Sequence, residues 1–138
     1  LPCENLVHHP IGRPFAICDP AHAPCGQYAE QALKHLGLWE RVSVNMIRGT
    51  SAQLTLNWIA LGEAGAGVVY ASDVLSSEKV RTVVVLPEDS HAPIQYRIAR
   101  LSDTEAARQA EAALMSDAAA EVFTRFCFIL PSPAGAPE

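Results

Sequence analysis

Pro14-Phe15-Ala16-Ile17-Cys18-Asp19-Pro20-Ala21-His22-Ala23-Pro24-Cys25-Gly26-Gln27-Tyr28-Ala29 is the stretch that decides the fold. Its opening residues form a short apolar run, and the proline behind Asp19 stops a strand, so Pro14 to Cys18 is expected to be one. Pro24 suits the first turn of a helix. From Gln27 to Leu36, the residues Tyr28, Ala29, Ala32, Leu33 and Leu36 recur at helical spacing, and Gly37 stands where a left-handed cap belongs. A strand that hands over directly to a helix start leaves backbone N–H groups and a partial positive charge at the junction, where an anion can be held. Gly67-Val68-Val69-Tyr70-Ala71-Ser72-Asp73 has the same form.

Working outward, a second helix is expected from Ala52 to Leu61, capped by Thr50 or Ser51, burying Leu54, Trp58 and Leu61 and ending at Gly62. Ala66 to Tyr70, Arg81 to Leu86 and Ile94 to Leu101 are rich in Val, Ile and Tyr and read as strands. Val83-Val84-Val85 is continuous rather than alternating, the pattern of a strand covered on both faces, which implies a mostly parallel sheet. Ser102-Asp103-Thr104-Glu105 forms a capping box before a helix from Ala106 to Met115, and Ser116 or Asp117 starts another through Phe126, so the C-terminal part is helical. The result is an α/β domain of three layers, α/β/α, over residues 1–130, with 131–138 a disordered tail rich in Pro and Ala. In such a domain ligands sit beyond the C-terminal ends of the strands, near helix N-termini.

Composition narrows the function classes. At 138 residues the chain has room for one core, and 49% apolar with 18% charged residues describes a globular domain without a membrane-spanning stretch. A net charge of -5 with scattered Lys and Arg argues against a nucleic-acid partner. Helix-start amides need no lysine to hold a small anion. No nucleophile, base and orienting group can be assembled from spacing, and no G-x-S-x-G elbow or Gly-rich phosphate loop is present, so an enzyme is not expected. Asp19, Asp73, Glu88 and Asp89 read as cap or turn residues. Cys3, Cys18, Cys25 and Cys127 contain no C-x-x-C pair; buried free thiols are the favoured state, disulfides the other. Leu1 in place of Met suggests a processed or excised product.

Gly12-Arg13-Pro14-Phe15-Ala16-Ile17 leading into Asp19 to Ala29, Leu36-Gly37-Leu38-Trp39, Gly67 to Asp73, and Leu86-Pro87-Glu88-Asp89-Ser90-His91-Ala92-Pro93-Ile94-Gln95-Tyr96 resemble, in this order, the periplasmic molybdate-binding proteins of ABC transporters. The match runs from about Asn5 to Phe128. The resemblance implies one lobe, the C-terminal one, of a type 2 periplasmic-binding-protein fold that binds molybdate or tungstate without a cofactor. It also implies a periplasmic location and an ABC transporter permease as partner. Position by position it places Cys25 and Ala52 where backbone N–H groups bind the oxyanion, and Tyr70 where a hydroxyl does, with Gly26 and Ser51 as neighbouring helix-start donors. The family's remaining ligands lie in an N-terminal lobe with no counterpart here, so a missing lobe or a second copy of the chain would have to close the site.

Two alternatives accompany this reading. Leu6-Val7-His8-His9-Pro10 carries histidines where the family has an apolar strand, and His8, His9, His22, Cys18 and Cys25 permit a metal- or haem-binding module. Adjacent strand residues point to opposite faces, however, so the bland reading of His8 and His9 is exposed or singly hydrogen-bonded side chains. The other alternative is an assembly or dimerisation domain that has lost anion binding.

Overall fold

Phe15–Cys18, strand β1, is buried along its whole length, and that places it at the centre of the sheet. The computed structural model describes residues 12–131; the expectations for Cys3, His8, His9 and the tail beyond Pro131 lie outside the described residues. The chain divides into two compact units, Leu1–Pro93 and Ile94–Glu138.

In the first unit, β1 is followed by α1 (Pro24–His35), α2 (Trp39–Ser43), β2 (Met46–Gly49), α3 (Ala52–Ala60), β3 (Ala66–Gly67) and α4 (Ala71–Val74). The sheet order is β2-β1-β3, and both pairings are parallel, with Phe15 opposite Met46 on one side and Ala66 on the other. Parallel neighbours need crossover connections, and α1 with α2 and then α3 supply them. Side chains alternate across β1. Phe15 and Ile17 join Ala29, Leu33, Leu38 and Val42 in the main core. Cys18 lies two positions from Ala16 on the other face, where the Thr55 hydroxyl of α3 reaches its Sγ at 3.7 Å. Helices therefore cover both faces of a parallel sheet, as the alternation of strands and helices requires.

Helix α1 ends as its sequence dictates. Gly37 adopts φ +67°, the Leu38 N–H donates to the Leu33 carbonyl at 2.8 Å and the Gly37 N–H to Lys34 at 3.0 Å, a Schellman closure in which Leu33 and Leu38 also meet in the core. Gly62 closes α3 in the same way at φ +75°.

Several expectations are corrected. Helix α3 buries Thr55 and Leu56, whereas Leu54 and Leu61 are exposed and Trp58 is half-buried. Its inward face is the one that meets the small residues of the sheet: a Cβ on Gly49 would lie 2.6 Å from Thr55 Oγ1, and one on Gly67 2.9 Å from Ile59 Cδ1. Of Ala66 to Tyr70 only Ala66–Gly67 is strand. Residues 81–86 and 94–101 form no strand among the described residues. Val84 and Leu86 pack against the main core while Val83 and Val85 are exposed, so the valine run has one covered face and not two. Residue type alone marked these segments as apolar but settled neither which side chains are buried nor whether a neighbouring strand is present. Strand β2 and helix α2 carry signals too short to stand out in the sequence.

The second unit contains α5 (Glu105–Leu114) and α6 (Asp117–Arg125). The cap of α5 is Thr104, whose Oγ1 accepts from the Ala107 N–H at 3.3 Å, and not a capping box begun at Ser102. Ser116 caps α6 through the Ala119 N–H. Arg100 bonds Glu111 at 2.7 Å and also pairs with Asp103. Tyr96 meets Phe128 edge-on at 5.3 Å.

Helix α6 closes with Phe128 N–H on the Phe123 carbonyl and Cys127 N–H on that of Thr124, which puts Cys127 at φ 63°. A side chain in this conformation costs on the order of 1 kcal/mol relative to glycine. Cys127→Gly should therefore stabilise the end of α6 by up to about 1 kcal/mol, read as slower hydrogen exchange of its last amides.

Candidate functional site

Each strand of the parallel sheet runs into a helix at its C-terminal end, β1 into α1, β2 into α3 and β3 into α4. Parallel strands place those three helix starts along one edge of the sheet, the edge at which α/β domains bind ligands. The central junction is tied down tightly. The Asp19 N–H donates to the Gly49 carbonyl at 2.7 Å, joining the end of β1 to the end of β2. The Asp19 carboxylate accepts from the Ala21 N–H at 3.0 Å and pairs with His22 Nδ1 at 3.1 Å, while the Asp19 carbonyl accepts from the His22 and Ala23 amides. The Ala21 amide, followed by the His22 ring, holds this carboxyl below the usual carboxylate range. Asp19 is thus a turn residue, as its place before Pro20 suggests.

Helix α1 can begin this close to β1 only because residue 26 is glycine. A Cβ there would lie 2.4 Å from the Cys18 carbonyl oxygen and 2.6 Å from Asp19 C and Pro20 N. The close approach also brings Cys18 and Cys25 within bonding distance, and they form a disulfide with Cα atoms 5.8 Å apart. This overturns the expectation of buried free thiols for the pair, and it removes both sulfurs as thiolate ligands of the alternative metal site. His22, the remaining described member of that set, is engaged by Asp19. Separation along the chain does not disclose such a pairing; the contact is created by the turn. Cys127 is free and exposed rather than buried.

Cys18, Ala23 and Cys25 form a small buried cluster against which Ala52 and Tyr70 pack. The three candidate oxyanion residues, Cys25, Ala52 and Tyr70, are therefore gathered from three separate segments. Among the described residues the amides of Cys25 and Ala52 meet no protein acceptor, as expected for the first positions of helices. Ala23, the N-cap of α1, offers no side-chain cap bond. The neighbouring donors fare differently. The Gly26 amide is turned back to the Ala23 carbonyl at 2.9 Å. The Ser51 hydroxyl oxygen accepts the Leu54 N–H at 3.2 Å and serves as the cap of α3.

Thr55 was not singled out by its sequence position, yet it is buried and hydrogen-bonds the Ser51 carbonyl at 3.0 Å while reaching Cys18. It links the start of α3 to the disulfide. A polar residue at a buried helix position was the only signal that could have found it. Tyr70 is the N-cap of α4, and its carbonyl accepts the Asp73 N–H at 3.0 Å. Burial pushes the Asp73 carboxyl up, against a smaller opposing effect of the Tyr70 backbone. His91 Nδ1 bonds the Ala92 carbonyl at 2.8 Å, and the Ala92 amide donates to Gln31 of α1 at 2.8 Å.

Known proteins match this chain over most of its length. It is 39% identical over 116 residues to the molybdate-binding protein ModA of Haemophilus influenzae, covering 83% of this chain and 46% of that protein. It is 33% identical to ModA of Escherichia coli over 121 residues, covering 86% of this chain and 47% of the relative. The chain thus spans about half the length of the curated relatives it matches. Among solved structures, the substrate-binding domain assigned to a molybdenum ABC transporter of Clostridium difficile superposes with TM-score 0.75 at 25% identity, covering 91% of this chain and 56% of that one. The periplasmic molybdate-binding protein of Azotobacter vinelandii shares the fold, with TM-score 0.72 at 22% identity over 91% of this chain and 58% of that one. A family model described as bacterial extracellular solute-binding protein matches residues 4–129, and the chain belongs to that family.

Proposed function

We propose that this chain forms one half of a binding site for a tetrahedral oxyanion, molybdate or tungstate, and acts in the substrate-binding component of an ABC transporter. The packing of Ala52 and Tyr70 against the cluster that holds Cys25 carries the reading, because it turns three candidate donors from distant segments into one group. Two helix-start amides and a phenolic hydroxyl are neutral donors, suited to a dianion in an acidic protein. The names of the ModA relatives point to the same ligand.

Half a site is open to water, where each hydrogen bond contributes roughly 0.5–1.5 kcal/mol net. A second lobe would close it and exclude that water. In this reading the complete receptor works in the periplasm and delivers its anion to a permease.

Calorimetric titration with molybdate, tungstate and sulfate tests the proposal, on the chain alone and with a second lobe supplied. Binding of the first two is expected, weak for the chain alone and tighter with the second lobe present. Tyr70→Phe, which removes one hydrogen bond to a charged ligand, should weaken binding about ten- to a hundredfold. Absence of heat with molybdate in both preparations would overturn the reading.

A further inference from the structure

The residue whose amide is the candidate donor at the start of α1 is itself half of a disulfide, and the other half is the last residue of β1. We propose that the Cys18–Cys25 pair sets the affinity of the anion site according to its redox state, the disulfide being the binding form and the dithiol the weak form. The inference rests on the oxyanion reading above.

In the disulfide both sulfurs are neutral, and the bond closes α1 onto β1 beside the amide of Cys25. A dithiol reductant breaks the S–S bond with two electrons and two protons, becoming a cyclic disulfide itself and leaving thiols on Cys18 and Cys25. The Cys25 thiol then lies in the first turn of α1, where helix-start amides stabilise a thiolate. The same amides would serve the anion. A thiolate there competes for them and repels a dianion at close range, so the reduced form binds more weakly.

The charged and titratable groups on the elements packed around the pair are few. Asp19 and His22 lie on the turn between β1 and α1 and engage each other. Arg48 on β2 acts on Asp19, Tyr70 and Asp73 stand at α4, and the first turn of α3 carries no charged residue. Reduction adds two thiols to this set, Cys18 at the end of β1 and Cys25 in the first turn of α1.

The test is a tungstate titration of oxidised protein, of protein reduced with a dithiol and then freed of it, and of reduced protein reoxidised, each from pH 6 to 9 with a second lobe supplied. Circular dichroism confirms that each form is folded. The oxidised form should bind with little pH dependence. The reduced form should bind at least tenfold more weakly at pH 8, lose affinity as pH rises through the thiol titration, and recover on reoxidation. Cys18→Ala, which leaves Cys25 a thiol permanently, should show the reduced profile without any reductant. Equal affinity in both redox states would overturn the inference while leaving the oxyanion reading intact. A reduced form that is weaker at every pH would support the switch, with the bond acting as a brace for the start of α1. No binding in any form would overturn both.

Discussion

Gly26→Ala is expected to destabilise the first unit by about 3 kcal/mol or more and to abolish anion binding at the same time. The added methyl would stand 2.4 Å from the Cys18 carbonyl oxygen and 2.6 Å from Asp19 C and Pro20 N. All three are backbone atoms, and the backbone here is pinned by the Asp19 N–H on Gly49 and by the bonds that the Asp19 carbonyl accepts. No flexible side chain can yield. Relief requires α1 to back away from β1, which displaces the Cys25 amide and stretches the geometry that allows the disulfide. Chemical denaturation reads the first effect and tungstate titration the second. Wild-type stability with a methyl at this position would show that α1 does not approach β1 as described.

Phe15→Ala should cost about 3–5 kcal/mol, a large part of the 5–15 kcal/mol that typically holds a domain together. Phe15 is fully buried at the start of the central strand, where it packs in the cluster formed with Ile17, Ala29, Leu33, Leu38 and Val42. Its backbone N–H is held by the Asn45 carbonyl at 2.8 Å, and its strand is bounded on both sides by parallel neighbours, so the site has little freedom to collapse around the lost ring. A shift in the denaturation midpoint without a change of slope is the expected signature. A loss below 1 kcal/mol would mean that β1 is not the centre of the core.

How far the sequence could be read followed how local the physics was. Helix α1 was legible because Pro24 at its start, apolar residues three and four apart, and Gly37 at its end each act within a few residues of the chain. The caps at Ser51 and Ser116 were legible for the same reason. The valine run at 83–85 misled because strand propensity describes a side chain's comfort in extended backbone, whereas a strand also needs a neighbour to bond with. Val84 packs against the core, and no partner strand among the described residues takes the run up. Burial on α3 was misjudged by one step around the helix, since the small residues of the sheet, Gly49 and Gly67, select Thr55 and Ile59 as the residues that fit against them.

For the candidate site, the sequence by itself determined the parts: two strand-to-helix junctions, a helix start at Ala52, and the residue types at Cys25, Ala52 and Tyr70. Only the tertiary structure decided that these parts meet, that the Gly26 amide turns inward, and that Cys18 and Cys25 are joined. A helix start is written in its own neighbouring residues, because capping bonds span three or four positions. A meeting of three helix starts depends instead on the order β2-β1-β3 of parallel strands, a pairing between segments far apart along the chain.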